Sequence, residues 1–324
     1  MSKELFDVVV VGAGPAGLAA AIEAKKYGLS CLVFDKGGIT NSILRFPAQM
    51  IFFTTPELLE IGGVPLVSDR EKPNRNEALK YYRKVVAMHH LNVHQYEEVL
   101  SIEQTQPHIF RLQTAASAYE ARHIVLSIGY YDNPNFMGVP GEELPHVSHY
   151  YTEAHPFFDR DVVVIGGKNS AAEAALELFR GGARVSLIHR GAEMGQGVKY
   201  WVRPDIENRF KNSEIAPYFN SKVLEITKEH VKISQNGTTR EVRAQQVFAL
   251  TGYHCSTTFF DQLGVRYDPN SLLPEHNPQT FETNVPGIYL AGSVIGGLKG
   301  EIFIENGRFH GEVLIRVIAE SNKN

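Results

Sequence analysis

The chain of 324 residues has two cysteines, one tryptophan and a net charge of only −4. Cys31 and Cys255 lie far apart, which excludes a C-x-x-C redox motif, a disulfide framework and a four-thiolate metal site. No apolar run approaches the roughly 20 residues of a membrane-spanning helix. The apolar stretch Val8–Ile22 is preceded by Glu4 and Asp7 and broken by Gly12, Gly14, Pro15 and Gly17, so it reads as strand–turn–helix and not as a signal peptide. No targeting segment is left over, and a cytoplasmic protein without a membrane partner is expected. With 32 basic against 36 acidic residues, nothing marks nucleic acid as a partner. His89, His90 and His94 make no convincing ligand set, because adjacent helix positions face different ways, and no metal is expected.

What the chain does have is glycine, 28 residues of it, and 43% apolar content, enough for a sizeable core. The length suggests two domains, at roughly 100–200 residues each. Phe6–Val11 reads as a strand buried on both faces, Leu18–Tyr27 as an alanine-rich helix and Cys31–Phe34 as a second strand. Between the first strand and the helix stands Gly12-Ala13-Gly14-Pro15-Ala16-Gly17, a G-x-G-x-x-G turn, and Asp35 follows Gly12 by 23 positions. Gly12 permits the tight turn, Gly14 the approach of a pyrophosphate and Gly17 the packing of helix on strand. The helix N-terminus attracts the phosphates, and Asp35 can accept both hydroxyls of an adenosine ribose. The alternative is a tight turn with no ligand; the strand before, the helix after and the acid at the right spacing weigh against it.

The pattern then repeats. Asp161–Ile165 reads as a strand, Gly166-Gly167-Lys168-Asn169-Ser170-Ala171 as a second turn, Ala171–Phe179 as a helix and Arg184–Ile188 as a strand. Lys168 replaces the middle glycine, crowding a pyrophosphate but able to pair with it. At the 23-residue spacing stands His189, followed by Arg190, where the first turn has its acid. A cation there accommodates a 2′-phosphate, so NADPH is expected over NADH. Lys199 and Arg203 are further phosphate candidates, with a solvated surface cation as the plainer alternative for each. Two dinucleotide turns in one chain point to one tightly held redox cofactor and one diffusible donor, FAD and NADPH.

Further along, Asn76–His89 reads as a helix with Leu79, Tyr82, Val86 and His89 on one face. Val223–Ile233 and Val242–Leu250 each read as a strand, and Ile302–Ile318 as a final helix with the stripe Ile302, Phe309, Val313 and Val317. Thr40–Thr55 is irregular and aromatic-rich.

The two turns, together with Ser127-Ile128-Gly129-Tyr130-Tyr131-Asp132, Gly138-Val139-Pro140-Gly141-Glu142, Leu250-Thr251-Gly252-Tyr253-His254 and Glu301-Ile302-Phe303-Ile304-Glu305-Asn306-Gly307-Arg308, resemble the flavoproteins of low-molecular-weight thioredoxin-reductase type. Within that group they are similar to the bacillithiol-disulfide-reductase (YpdA-like) family. The resemblance implies an α/β fold of two Rossmann-like domains: an FAD domain over 1–128 and 252–324, and an NADPH domain over 129–251 inserted into it. It also implies a homodimer. Thr283–Ser293 resembles the second flavin fingerprint, ending Ala291-Gly292-Ser293 where an aspartate is usual. The final helix would point its N-terminus, near Glu301 and Ile302, at the flavin. The candidate cofactor residues are thus Gly12, Gly14, Pro15, Ala16, Gly17, Asp35, Lys36, Asn41, Ser42, Gly129, Gly252, Gly292, Ser293 and Ile302 for FAD. For NADPH they are Gly166, Gly167, Lys168, Asn169, Ser170, His189, Arg190 and Lys199.

Two departures bear on the chemistry. Where thioredoxin reductases carry C-x-x-C, this chain reads Tyr151-Thr152-Glu153-Ala154. Where many members of the closer family have a cysteine in the first turn, it has Ala16. Cys31 starts a core strand, and nothing in the sequence near Cys255 lowers its pKa. No catalytic residue is therefore assigned. The expectation is a reductase that passes electrons from NADPH through FAD to a small acceptor, a low-molecular-weight thiol disulfide such as bacillithiol disulfide or a small redox protein, without a protein dithiol. The segments 40–55 and 296–305 are candidates for lining the acceptor site. Alternatives are a ferredoxin- or flavodoxin-NADP reductase, a flavin monooxygenase and a non-catalytic NADPH-binding module. The monooxygenase F-x-G-x-x-x-H is missing, since placing its histidine at His149 puts Pro145 and Glu143 at the other positions.

Overall fold

The computed structural model describes residues 4–298 and 302–322. The chain forms two compact units. One runs to Arg45, resumes over Met50–Asn133 and again from Tyr253; the other comprises Phe46–Gln49 and Pro134–Gly252. The chain thus crosses at Asn133–Pro134, a few residues beyond Gly129. Phe46–Gln49 joins the second unit, where Ala48 N–H donates to the Thr152 carbonyl at 2.8 Å.

In the first unit, β1 (Leu5–Val11) leads through a turn to α1 (Pro15–Lys26) and β2 (Cys31–Asp35). Val8, Val9 and Val10 are wholly buried, as a β-branched run between layers should be. A short α2 (Asn41–Leu44) follows, then α3 (Arg75–Met88). Asn74 and Glu77 cap α3 reciprocally: Glu77 N–H donates to Asn74 Oδ1 at 2.9 Å and Asn74 N–H to Glu77 Oε2 at 2.8 Å. The buried face of α3 is Ala78, Tyr81, Tyr82 and Val85, which corrects the expected stripe of Leu79, Tyr82, Val86 and His89. The tyrosine hydroxyls choose it. Tyr81 accepts from Ile61 N–H at 2.7 Å and donates to the Val64 carbonyl at 2.9 Å, and Tyr82 donates to the Leu59 carbonyl at 3.0 Å.

Four strands complete this pass: β3 (Val93–Gln95), β4 (Val99–Gln106), β5 (Ile109–Thr114) and β6 (Ala118–Leu126). The sheet order is β3-β2-β1-β6-β5-β4, parallel from β3 to β6 and antiparallel beyond.

The second unit contains β7 (Val147–Ser148), β8 (Asp161–Ile165), α4 (Asn169–Arg180), β9 (Arg184–Ile188), α5 (Arg203–Lys211) and β10 (Ala216–Tyr218). After them come β11 (Ser221–Ile226), β12 (His230–Gln235), β13 (Thr238–Arg243) and β14 (Gln246–Ala249). A parallel sheet runs β10-β9-β8-β14-β7, and β11-β12-β13 form an antiparallel sheet. The expected strand Val223–Ile233 is therefore two strands, turned where Thr227 N–H donates to the His230 carbonyl at 2.8 Å. Val242–Leu250 also divides, with Val242 in one sheet and Val247 in the other. Both side chains enter one core with Val163, Ile165, Val231 and Ile233, which explains why the apolar pattern looked continuous.

Back in the first unit are α6 (Thr258–Leu263), β15 (Ile288–Leu290), which pairs with β6, α7 (Ile304–Gly307) and α8 (His310–Ser321). The expected single helix Ile302–Ile318 is thus two helices. The buried face of α8 is His310, Gly311, Leu314, Ile315, Ile318 and Ala319, and the predicted stripe residue Phe309 is exposed. Gly311 sets that rotation. A Cβ built on it would lie 2.5 Å from Ala20 N and 2.8 Å from Ala19 C, so α8 lies backbone-to-backbone on α1. Gly311→Ala should cost about 1–3 kcal/mol, because only backbone can give way. A thermal melt of the holoprotein unchanged by this substitution would show that the two helices separate freely.

Candidate functional site

The first glycine turn is tied on both sides. Ala13 N–H donates to Asp35 Oδ2 at 2.8 Å, and the Ala13 carbonyl accepts from Thr40 N–H at 3.0 Å. The other oxygen of Asp35 accepts from Gly37 N–H at 2.8 Å. Burial raises the Asp35 carboxyl above its ordinary value, while these two amides pull it back. Asn41 lies directly over Gly37, where a Cβ would be 2.3 Å from Asn41 Cγ. Lys36 pairs with Asp132 at 3.0 Å, and Arg45 pairs with the same carboxylate. Ser42, half-buried in α2, accepts from Arg45 N–H through its carbonyl at 3.2 Å.

The three glycines have different reasons to be glycine. Gly12 stands at φ +111°, and a Cβ there would lie 2.2 Å from the Ser127 carbonyl oxygen. A Cβ on Gly17 would lie 2.0 Å from the Gly12 carbonyl oxygen. Gly14 has neither reason. Its φ of −74° and ψ of 174° suit any residue, and no protein atom lies within 4 Å of a Cβ built there. Glycine at that place serves something outside the protein's own packing, and a pyrophosphate against the first amides of α1 fits it.

A second cluster forms at Gly292, which stands at φ +76°. A Cβ there would lie 2.8 Å from Ala16 Cβ, and one on Gly307 would lie 3.2 Å from Gly292 Cα and 3.4 Å from Ile302 Cγ2. One on Gly129 would lie 3.7 Å from Ser293 Oγ. Ala16 and Pro15, in the first turn of α1, thus share a neighbourhood with Gly129, Gly292, Ser293 and Ile302. The helix expected to start near Glu301 and Ile302 instead starts at Ile304 and lasts one turn. Phe303 N–H donates to Asn306 Oδ1 at 2.9 Å. Lys299, Gly300 and Glu301 lie outside the described residues, so the candidate lining 296–305 is described only in part.

His310 belongs to this cluster and was missed by sequence reasoning. It is buried, its Nδ1 accepts from Gly292 N–H at 3.1 Å, and its ring stacks on Phe281 at 4.2 Å. An accepting Nδ1 means a neutral ring, and burial, aided by His276, pushes His310 down to about 4. No local pattern could have marked it, since Phe281 is remote in sequence.

In the second unit, Lys168 takes the place of Gly14. It precedes α4 in the same extended conformation, with φ −108° and ψ −171°, and is exposed. A Cβ on Gly166 would lie 2.6 Å from the Leu250 carbonyl oxygen, and one on Gly167 would lie 2.1 Å from His189 Cε1. His189 therefore packs flat against the turn. Burial and the Arg190 charge lower it, leaving it neutral at pH 7. The exposed cation at this place is Arg190. Arg203 is engaged elsewhere, donating to the Met194 and Gly195 carbonyls at 3.2 and 2.7 Å and pairing with Glu207 at 3.0 Å.

Asn169 Oδ1 accepts from Lys199 N–H at 3.2 Å, and Ser170, in the first turn of α4, is exposed. Glu173, also missed, is raised by burial, with Asn169 and the Lys199 charge opposing the rise. It lies one helical turn after Asn169, a spacing that could have flagged it. Gly252 ends the second unit, where its carbonyl accepts from Asn135 N–H at 2.9 Å.

Burial pushes Cys31 up to about 12 and raises Cys255, whose Sγ faces the Leu272 carbonyl at 3.6 Å. Tyr151, at the place of a dithiol, is buried edge-on against Phe248 at 5.3 Å. Among the described residues no cluster of His, Cys, Asp and Glu could hold a metal ion, and no helix is long and apolar enough to cross a membrane.

Two outcomes follow. Gly14→Ala should leave the stability of the apoprotein within about 0.5 kcal/mol yet weaken FAD retention on dialysis, whereas Gly17→Ala should lower stability itself. Equal melts for both variants would overturn this division. As pH falls from about 6.5 to about 4, the unfolded chain gains a proton at position 310 that the folded chain refuses, so stability is lost through that window. His310→Asn keeps an acceptor without titrating. Its urea midpoints between pH 6.5 and 4 should fall less steeply than those of the parent, and parallel curves would remove His310 from the account.

The pyridine nucleotide-disulphide oxidoreductase family model matches residues 9–292. The chain is 43% identical to bacilliredoxin reductase Bdr of Bacillus subtilis, over 96% of this chain and 97% of that one. Its structure superposes on bacillithiol disulfide reductase Bdr (YpdA) from Bacillus cereus with a TM-score of 0.96 at 42% identity, covering 98% of this chain and 100% of that one. The Staphylococcus aureus counterpart gives 0.95 at 38% identity, with 98% and 99% covered. The chain belongs to the pyridine nucleotide-disulphide oxidoreductase family, in its bacillithiol-disulfide-reductase branch, and its cofactors are FAD and NADPH.

Proposed function

We propose that the chain reduces a low-molecular-weight disulfide, bacillithiol disulfide first among the candidates, and does so with no thiol of its own. The observation that carries the second half is the placement of the thiols: two in the chain, both raised by burial, and a core tyrosine where a dithiol would stand. Bound FAD would supply the two-electron chemistry that couples NADPH oxidation to disulfide reduction, one NADPH and one proton giving NADP⁺ and two thiols per disulfide.

The residues of the chain bind and orient. Gly12, Gly14 and Gly17 open the first turn to a pyrophosphate, and Asp35 keeps lone pairs for ribose hydroxyls beyond its two amide bonds. Gly129, Ala16, Gly292 and Ser293 form the neighbourhood proposed for the flavin end, with His310 holding the Gly292 amide. Ser293 stands where an aspartate is usual and offers a neutral hydroxyl. In the second unit Lys168 and the first amides of α4 take the NADPH pyrophosphate, and Arg190 takes the 2′-phosphate. The assignment that goes with this reading puts FAD on the unit that holds Met50–Asn133 and NADPH on the unit that holds Pro134–Gly252, in a cytoplasmic homodimer.

A second reading rests on the name of the Bacillus subtilis relative, a bacilliredoxin reductase: there the acceptor is a small redox protein. An acceptor panel separates the two, with NADPH consumption followed on bacillithiol disulfide, bacilliredoxin and ferredoxin. In anaerobic stopped-flow, NADPH should bleach the flavin much faster than NADH. Arg190→Ala should raise the NADPH KM about tenfold, near 1.4 kcal/mol, and leave that for NADH unchanged; equal effects on both would cancel the 2′-phosphate assignment. The double variant Cys31→Ala/Cys255→Ala should keep at least about half of the disulfide turnover, allowing for small core effects. Loss of turnover with flavin bleaching intact would mean that a protein thiol is required.

A further inference from the structure

Residues 191–202 link β9 to α5 as a strap over the second glycine turn, and it is fixed there despite containing Gly191, Gly195 and Gly197. Gly195 N–H donates to the Gly167 carbonyl at 2.8 Å, and Lys199 N–H to Asn169 Oδ1 at 3.2 Å. Arg203 secures it through the Met194 and Gly195 carbonyls, and the side chains of Met194 and Val198 are buried in the unit's core. A Cβ on Gly195 would lie 4.0 Å from Lys168 Cγ, so the strap runs beside the residue that precedes α4.

What this fixed strap presents is Lys199-Tyr200-Trp201. Tyr200 is 82% exposed and Trp201 43%, their rings meet edge-to-face at 4.8 Å, and the Lys199 ammonium lies 5.9 Å from the Trp201 ring centroid. Tyr200 is held out by an anchored loop and forgoes hydrophobic burial, and the Trp201 ring stays partly open, although a core lies directly beneath at Met194, Val198 and Val202. Beside them stand Lys168, Asn169 and the anion-accepting end of a twelve-residue helix. The matching ligand chemistry combines a flat aromatic ring with several negative charges.

We propose that Trp201 is the face on which a ring of bound NADP(H), adenine or nicotinamide, stacks, with Tyr200 standing edge-on beside it and Lys199 drawing in the phosphates. The inference rests on the assignment of NADPH to the second unit and deepens it, naming positioning residues that the glycine turn does not supply.

Trp201 is the chain's one tryptophan, so its emission reports this place alone. The holoprotein is titrated with NADP⁺, which cannot reduce the flavin, while tryptophan emission is followed and binding is measured separately by calorimetry. Stacking on Trp201 requires saturable quenching with the calorimetric Kd. Trp201→Ala should weaken NADP⁺ binding about tenfold, in the range of base stacking on an aromatic side chain. Trp201→Phe should stay within about threefold, since a ring is retained, and FAD content should match the parent in both. The KM for NADPH should rise in Trp201→Ala with kcat little changed. Quenching by 2′-phospho-ADP-ribose assigns the ring as adenine; quenching by nicotinamide mononucleotide in its place assigns nicotinamide. If NADP⁺ binds Trp201→Ala as tightly as the parent and leaves parent emission unmoved, the stacking face is wrong while the NADPH assignment stands. If the parent binds no NADP⁺ by calorimetry, the NADPH assignment itself falls.

Discussion

The hydrogen bond from Ala13 N–H to the Asp35 carboxylate, 2.8 Å long, is the joint on which the first unit hangs. It closes the glycine turn against the end of β2, and the same carboxylate holds Gly37 and thereby the start of the next loop. With the turn closed, α1 begins at Pro15 and lies where Gly17 can meet the Gly12 carbonyl. α8 then packs on α1 through Gly311, and α8 carries His310, whose ring nitrogen holds the Gly292 amide. A local contact at the start of the chain is thus transmitted by helix packing to a turn nearly 300 residues later. Each link is a short contact with no slack, so the two halves of the proposed flavin site are built by one chain of dependence.

On the proposed reading, the two glycine turns offer one backbone to two kinds of ligand. Gly14 and Lys168 both precede a helix in extended conformation, and the difference between them is a side chain. Without a side chain, the helix amides can come into direct contact with a pyrophosphate, which suits a cofactor that stays. With lysine, the approach is longer and relies on an exposed, salt-screened charge, which suits a donor that binds and leaves each turnover. His189 deepens the contrast. It occupies the position of Asp35, yet its ring packs against the turn with its pKa lowered by burial, and on the proposed reading recognition falls to Arg190.

Spacing in the sequence was enough to place both turns, the acid at Asp35 and the repeated strand–turn–helix units, because these depend on residues within one βαβ unit. Helix faces were less legible. On α3 and α8 the expected stripes shift because the deciding contacts are remote: tyrosine hydroxyls reaching the 59–64 backbone, and Gly311 lying on Ala20. Apolar runs across Val223–Ile233 and Val242–Leu250 concealed turns because strands of two sheets feed one core. His310 was invisible for the same reason, since burial and ring stacking with Phe281 exist only after folding. Glu173 was within reach, one helical turn from Asn169. Aromatics at 200–201 could be read as ordinary core until the structure left them exposed.

The scarcity of cysteine acquires its meaning from burial. A thiol relay needs a thiolate, and burial that pushes Cys31 up to about 12 keeps it a neutral thiol at pH 7. Cys255 is raised as well and sits in the core with Phe260 and Leu290. Cys31 opens β2 and Cys255 precedes α6, and both are free thiols. On the reading proposed above, electrons leaving the flavin have no protein sulfur on which to pause, and the first sulfur they meet is that of the acceptor. Selectivity then cannot come from matching the potential or pKa of an enzyme dithiol to its target. It has to come from which disulfides reach the flavin edge, a matter of the shape and charge of the surrounding chain.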